Sequence, residues 1–358
     1  MFLAAKSLSD QQVAFVFALL EAKVFQLLHI MALRVLATPE EVVTALHSAS
    51  YPGNQVFKAF YDSRLNAVIT DPVLMTVPID DHMVHRAHSV FDTLLVVDGK
   101  AYLLEQHLDR FLKSAAAAKV DLPMTREAIK STIKQLVAIT GLRSCRLRFW
   151  LSAGPGSLYI LPVPGMSVFY ALVYDDGTDP RTLMLAKTGA KEFTVDLPLK
   201  PQFLATMKTT NYLLNAHCAM QAVQQGGRLG IQKDPEGFIT ECAVANVSFV
   251  LPGKRFVTPP FQSILAGTVI SRLLLLAQGL LASGVIASID QRPIHIDEAK
   301  TAVEVIQSGG DSLSPVVEWD GVAINEGQIG PVYIELRRLY LEEMYGSDPI
   351  LREAIEYS

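Results

Sequence analysis

The chain has 358 residues, half of them hydrophobic and 19% charged, with a formal net charge of −5. That length suits two domains or one large one, and the modest share of charge excludes a disordered chain. An acidic balance with no basic block gives nucleic-acid binding no support. Three scattered cysteines, Cys145, Cys218 and Cys242, exclude a disulfide framework and fit a reducing compartment.

Taken in chain order, the first predicted element is Gln11 to Leu36, a strongly apolar run. Glu21, Lys23 and His29 interrupt it, so an amphipathic helix that packs on something is expected rather than a membrane span. No basic start with a clean apolar run and a small-residue cleavage site marks a secretory signal, and acids argue against a transit peptide. The protein is therefore read as cytoplasmic, with an organelle such as a plastid kept open. Thr38 to Ala49 reads as a helix, with a threonine cap, proline in the first turn and Glu40–Glu41 near the positive end. Strands are expected at Val56–Tyr61 and Ala67–Thr70, then a hairpin of Phe91–Val97 and Lys100–Leu104 around Asp98-Gly99. Helices follow at Glu105–Val120 and Met124–Thr140, and a strand at Cys145–Ser152.

The stretch Tyr159–Pro164 reads as a linker, and Val168–Val173 as the start of a new sheet. Asn211–Gln225 is helical. Leu229–Gln232, Phe238–Cys242, Val247–Leu251 and Phe256–Thr258 read as a run of antiparallel strands. Thr268–Leu281 is an apolar helix, Ala302–Gln307 a buried strand, and Pro331–Tyr345 the last helix. Helices and antiparallel strands mix without regular βαβ alternation, so the class is α+β. The expected division is 1–54 as a helical extension, 55–164 as a small domain, 165–345 as a large one and 346–358 as a tail.

Three distant residues can make one site. Lys208, in Ala205-Thr-Met-Lys-Thr-Thr-Asn-Tyr-Leu213, is a candidate to form an imine with an aldehyde cofactor and to shuttle a proton. Glu241, between Thr240 and the small run Cys242-Ala-Val-Ala245, can hold a pyridinium nitrogen. Arg110 offers a planar fork of donors for a phosphate. Gly267 and Thr268 open an apolar helix whose free N–H groups form an anion cradle. Ser308, Gly309 and Gly310, after a buried strand, can give further contacts to a phosphate or a substrate carboxylate. Together these describe a site for pyridoxal 5′-phosphate. His82, His85 and His88 form His-x-x-His-x-x-His, but the surroundings look irregular or strand-like and nothing completes a ligand set, so no metal is expected.

The ordered set HLDR (107–110), KTTNY (208–212), TECAVAN (240–246) and ILAGT (264–268) resembles the class IV aminotransferases, the fold-type IV enzymes of pyridoxal 5′-phosphate. Asp80 to Thr93 and Arg148 to Gly156 look most like plant D-amino-acid transaminases, some with aminodeoxychorismate lyase activity. The resemblance implies a small α/β domain beside a larger domain of mixed, barrel-like sheets. It implies a homodimer acting on an amino acid, most of all a D-amino acid, and a 2-oxo acid. Lyase and branched-chain aminotransferase activities are the alternatives, and a non-catalytic module of this fold is a further one. It implies that Lys208 is the Schiff-base lysine, that Glu241 partners the pyridinium and that Arg110 grips the phosphate. The amides of Thr268 and Val269 would cradle that phosphate, and Tyr212 would bond the 3′-oxygen. Phe91 stands where bacterial D-amino-acid transaminases have a tyrosine, and no Arg or His occurs in 154–162. Thr93 and Cys242 are the marks that favour the lyase.

Overall fold

The computed structural model describes residues 33–357; most of the apolar run at 11–36 lies outside them. Among the described residues, 33–50 and 51–357 belong to separate units. Within the first, α1 (Pro39–Ser48) starts at Thr38, whose side chain accepts from the Glu41 N–H while the Glu41 carboxylate accepts from the Thr38 N–H. This reciprocal cap satisfies two of the donors a helix start leaves open.

The second unit begins with β1 (Phe57–Asp62) and β2 (Ala67–Ile69). The short helix α2 (His82–His85), β3 (Ser89–Val97) and β4 (Lys100–Tyr102) follow. Next come α3 (Leu104–Ala117), α4 (Arg126–Thr140), β5 (Cys145–Ser152) and β6 (Val168–Tyr174). β3, β5, β6 and β1 pair antiparallel in that spatial order. One face of this sheet packs on α3 and α4, with the Phe111 and Phe149 ring centroids 4.8 Å apart. β5 alternates strictly: Cys145, Leu147, Phe149 and Leu151 enter that core, while Arg146 and Arg148 point to the other side.

The segment 168–174 was expected to open a new sheet; it instead completes the first one. Phe169, Ala171 and Val173 face α3 and α4, and Val168 and Tyr170 face a second apolar cluster with Phe60. A strand apolar on both faces needs neighbours on both edges, which β5 and β1 supply. By sheet membership the first layer therefore runs to Tyr174 rather than to 164.

The chain continues through α5 (Leu185–Thr188), β7 (Ala190–Glu192), β8 (Thr194–Val195), α6 (Gln202–Ala205) and α7 (Leu213–Gln224). The strands β9 (Ile231–Lys233), β10 (Ile239–Cys242), β11 (Asn246–Leu251) and β12 (Arg255–Thr258) lie where they were expected. They do not form one meander. β10, β9 and β8 make a small sheet, and β11 and β12 belong to another. The turn at 242–245 separates them, closed by the Cys242 N–H donating to the Ala245 carbonyl at 2.8 Å.

The third sheet adds β13 (Ser288–Gln291), β14 (Glu304–Gly309), β15 (Ser312–Trp319) and β16 (Val322–Ala323), with α8 (Thr268–Ala282), α9 (Ile296–Ala299) and α10 (Pro331–Tyr345). α8 and α10 pack on its face and also on Leu95, Val97, Tyr102 and Leu103 of the first sheet. This shared core explains why the far half of β3 is buried on both sides. Finally β17 (Arg352–Ala354) pairs with β4, closing that edge of the first sheet. Helices with largely antiparallel sheets, joined by three parallel pairings, make the class α+β, as expected. No helix among the described residues is long and apolar enough to cross a membrane.

The histidine triplet is partly helical, not strand-like: His82 and His85 sit on α2 and His88 just after it. His85 Nε2 faces the Asp80 carbonyl at 3.1 Å and His88 Nε2 the Ala118 carbonyl at 2.9 Å. Burial and the neighbouring His85 and His88 hold the His82 imidazole below the usual histidine range. Among the described residues no group of three or more His, Cys, Asp or Glu is arranged to hold a metal ion.

Candidate active site

Where the sheets meet, a cavity of about 500 Å³ opens. Phe91, Thr93, Arg110, Lys208, Tyr212, Glu241, Gly267, Thr268, Val269, Ser308, Gly309 and Gly310 all border it. Residues as far apart in sequence as Phe91 and Gly310 thus converge as the motif reading expected.

Lys208 is fixed through its backbone. Its N–H donates to Ser114 Oγ on α3 at 3.1 Å, and its carbonyl accepts from the Phe91 N–H at 2.9 Å. The Thr210 N–H donates to the Ser89 carbonyl at 3.1 Å, so 208–210 lies along β3 like an added strand. The side chain enters the cavity, with Nζ 3.4 Å from the Tyr212 hydroxyl and 4.6 Å from the centre of the Phe91 ring. Burial, then the Arg110 cation, pulls its ammonium down to about 8, enough to give a usable share of neutral amine near neutral pH.

Arg110 sits on the second turn of α3 and is held by Asp92 of β3. Nε donates to Oδ2 at 2.8 Å and Nη2 to Oδ1 at 2.6 Å, while His107 Nδ1 lies 2.9 Å from the same Oδ1. Asp92 is fully buried, yet Arg110 and His107 hold its carboxyl far below the usual carboxylate range. The fork is thereby aimed, and Nη1 has no partner among the described residues.

Opposite, Gly267 caps α8 with no side-chain acceptor, so the first N–H groups of a fifteen-residue helix face the cavity. A Cβ at Gly267 would stand 2.1 Å from Asn246 Oδ1, whose Nδ2 donates to the Leu265 carbonyl at 2.9 Å. Only glycine lets the loop come so close to β11. Ser308, at the end of β14, carries a buried Oγ without a partner, and a Cβ at Gly309 would stand 2.7 Å from the Val244 carbonyl. A guanidinium with a spare donor, an open helix start and an orphaned hydroxyl together fit a phosphate.

Glu241 lies on β10, where the pairing with β9 slips between Ile239 and Cys242. This bulge turns Glu241 to the cavity while Cys242 turns inward. Burial raises the Glu241 carboxyl to about 7, against the opposing pull of Lys200, the Leu265 N–H and Lys208. A carboxylate lining the same cavity as Lys208 and Arg110 fits a pyridinium nitrogen. Cys242, the sequence mark that favours the lyase, is not part of the lining; its Sγ faces Gln307 Nε2 at 3.3 Å.

Several lining residues gave no sequence signal. Lys200 lies in a loop without a motif. Arg148 reaches Thr93 Oγ1 through Nε at 3.0 Å and stands 5.5 Å over the Phe91 ring. Arg146 is tied to Asp176 at 2.6 Å. Arg228 donates to Gln307 at 2.8 Å, beside Glu192, which accepts from the Leu229 N–H at 2.9 Å and the Gly230 N–H at 2.8 Å. The alternating arginines of β5 were the one signal that could have flagged a basic wall.

The family described as Amino-transferase class IV matches residues 89–319. The D-amino-acid transaminase, chloroplastic, of Arabidopsis thaliana is 39% identical over 308 residues, covering 85% of this chain and 81% of that protein. The bifunctional aminodeoxychorismate lyase / D-amino acid transaminase of Mycobacterium tuberculosis is 28% identical over 221 residues, 57% of this chain and 73% of that protein. The T.th. branched-chain amino acid aminotransferase, solved with pyridoxamine 5′-phosphate, superposes with a TM-score of 0.76 at 23% identity, covering 84% of this chain and 99% of that one.

Proposed function

This chain belongs to the class IV aminotransferases, enzymes of pyridoxal 5′-phosphate, and we propose that it exchanges the amino group of a D-amino acid with a 2-oxo acid, using Lys208. The observation that carries the reading is the convergence of Lys208, Glu241 and Arg110 on one cavity. When bound, the cofactor supplies an electron-accepting ring that makes the substrate Cα–H acidic. Arg110 and the Thr268 and Val269 amides hold its phosphate, with Ser308 and Gly309 completing the grip. Glu241 holds the ring nitrogen, and Tyr212 its phenolic oxygen. Lys208, neutral in part near pH 8, would take the substrate Cα proton at Nζ and hold it for return in the exchange. Phe91 walls the substrate side, and Thr93 with Gly310 orients the carboxylate.

The relative from Arabidopsis supports the D-configuration, and Arg148 beside Thr93 gives a carboxylate a partner that the loop 154–162 lacks. Aminodeoxychorismate cleavage is the second reading, supported by Thr93 in the lining and by the bifunctional relative. Leu158, Tyr159, Ile160 and Leu161 are 64–82% exposed side by side, an apolar patch that suits a homodimer. A cytoplasmic or plastid location is proposed, the latter from the chloroplastic relative.

The wild-type protein with added cofactor is expected to gain a long-wavelength absorption band, and Lys208→Ala to lose it together with about 10³-fold of the rate. A wild type without the band overturns the reading. D- and L-amino donors paired with 2-oxoglutarate or pyruvate separate the handedness, and a coupled assay for 4-aminobenzoate separates the lyase.

A further inference from the structure

Behind Glu241 lies a second, small cavity of about 20 Å³, lined by Lys200, Asn215, Gln232, Thr240 and Glu241 among others. That volume takes one water molecule. Lys200 and Glu241 border both this side cavity and the main one. No ion pair within 4.0 Å joins them, although Lys200 is the cation that acts most on the Glu241 charge. Asn215, on α7, is 6% exposed; its Nδ2 donates to the Ala243 carbonyl, and its Oδ1 is a buried acceptor without a partner. Lys200 Nζ stands 4.9 Å from the centre of the Tyr212 ring, which fixes its end over the cavity wall.

We propose that Lys200 is a positioning residue for the cofactor ring: through one water held with Asn215 Oδ1 in the side cavity, its ammonium favours the carboxylate form of Glu241. The proposal rests on the reading of Glu241 as the partner of the ring nitrogen. The water accepts from Lys200 and donates to both Asn215 Oδ1 and the Glu241 carboxylate, which satisfies the orphaned acceptor. The groups facing Glu241 are Lys200, Lys208, Tyr212 and Cys218, with the Leu265 N–H. Of these only the two lysines are cations. Whenever the Lys208 amine is neutral, as its chemistry requires, Lys200, itself pulled below the usual lysine range by burial, is the one remaining positive charge among these groups. The opposing forces on Glu241 agree: burial raises its carboxyl, and Lys200 is the strongest influence lowering it.

The test is cofactor affinity, read from the visible band as a function of pH, for wild type, Lys200→Met and Lys200→Arg. Protonating Glu241 weakens the hold on the ring, so affinity falls on the acid side of a midpoint. Lys200→Met is expected to raise that midpoint by about one unit, and Lys200→Arg to restore it. A Lys200→Met midpoint equal to that of a cofactor-binding wild type overturns the inference while leaving the aminotransferase reading intact. A wild type that binds no cofactor sinks the reading itself. If Lys200→Met does not fold, a crystal structure of the wild-type holoenzyme decides. Ordered water within hydrogen-bonding distance of Asn215 Oδ1 and Lys200 Nζ supports the proposal, and a dry side cavity overturns it.

Discussion

Asp92 and Glu241 are two acids on the wall of the same cavity, and their surroundings drive them in opposite directions. Asp92 is the more buried, yet a bidentate Arg110 and His107 offset its desolvation and keep it charged. Glu241 has no cation in contact; lysines act on it only from beyond bonding distance, and burial wins. On the proposed reading, the difference separates two tasks. A group that must aim a fixed cation toward a phosphate is locked in one charge state. A group that must meet a ring nitrogen is left poised, so that the ring itself completes its stabilisation. Burial alone therefore does not set the charge of a carboxyl; the contact partner does.

The comparison breaks most visibly at Asp92. Asp92→Ala leaves the Arg110 guanidinium buried without its anion, and a loss of about 3–5 kcal/mol is expected in denaturant unfolding at neutral pH. The sign with pH is definite: a depressed carboxyl stabilises above its unfolded value of about 3.9, and the contribution disappears as pH falls below it. Glu241 gives the opposite slope. Its folded value of about 7 lies above the unfolded value of about 4.3, so the cofactor-free protein loses about 4 kcal/mol as pH rises between them. Glu241→Gln is expected to flatten that part of a Tm-versus-pH profile. An unchanged slope would mean that Glu241 is already ionised in the fold. The smallest effect sharpens the phosphate end. Gly267→Ala forces a Cβ onto Asn246 Oδ1 and is expected to cost about 1–3 kcal/mol and to weaken cofactor affinity. Wild-type affinity in that variant would show that the loop yields freely.

The residues proposed to hold the cofactor were legible because each carries a local signature: a lysine before a helix, a glycine at a helix start, an arginine at fixed spacing from a histidine. Those that set the charge of these groups were not. Asp92 reads as one polar position in a strand, and nothing in the spacing from Asp92 to Arg110 announces a bidentate pair. Lys200 lies in a loop whose path is decided by packing. Periodicity found both faces of β6 but not its sheet, because pairing partners are a tertiary choice. It placed β10 and β11 but missed that a four-residue turn sends them into different sheets.

The strand that closes the first sheet reaches its partner across much of the chain: Arg352 Nη2 donates to the Val97 carbonyl at 2.9 Å, across a separation of 255 residues. During synthesis β4 is made early and waits with one row of amides and carbonyls unmatched until 352–354 emerge. Such a bare margin invites pairing with another nascent chain. The same hairpin leads directly into the helix that bears Arg110, and fragments ending before residue 352 are expected to aggregate.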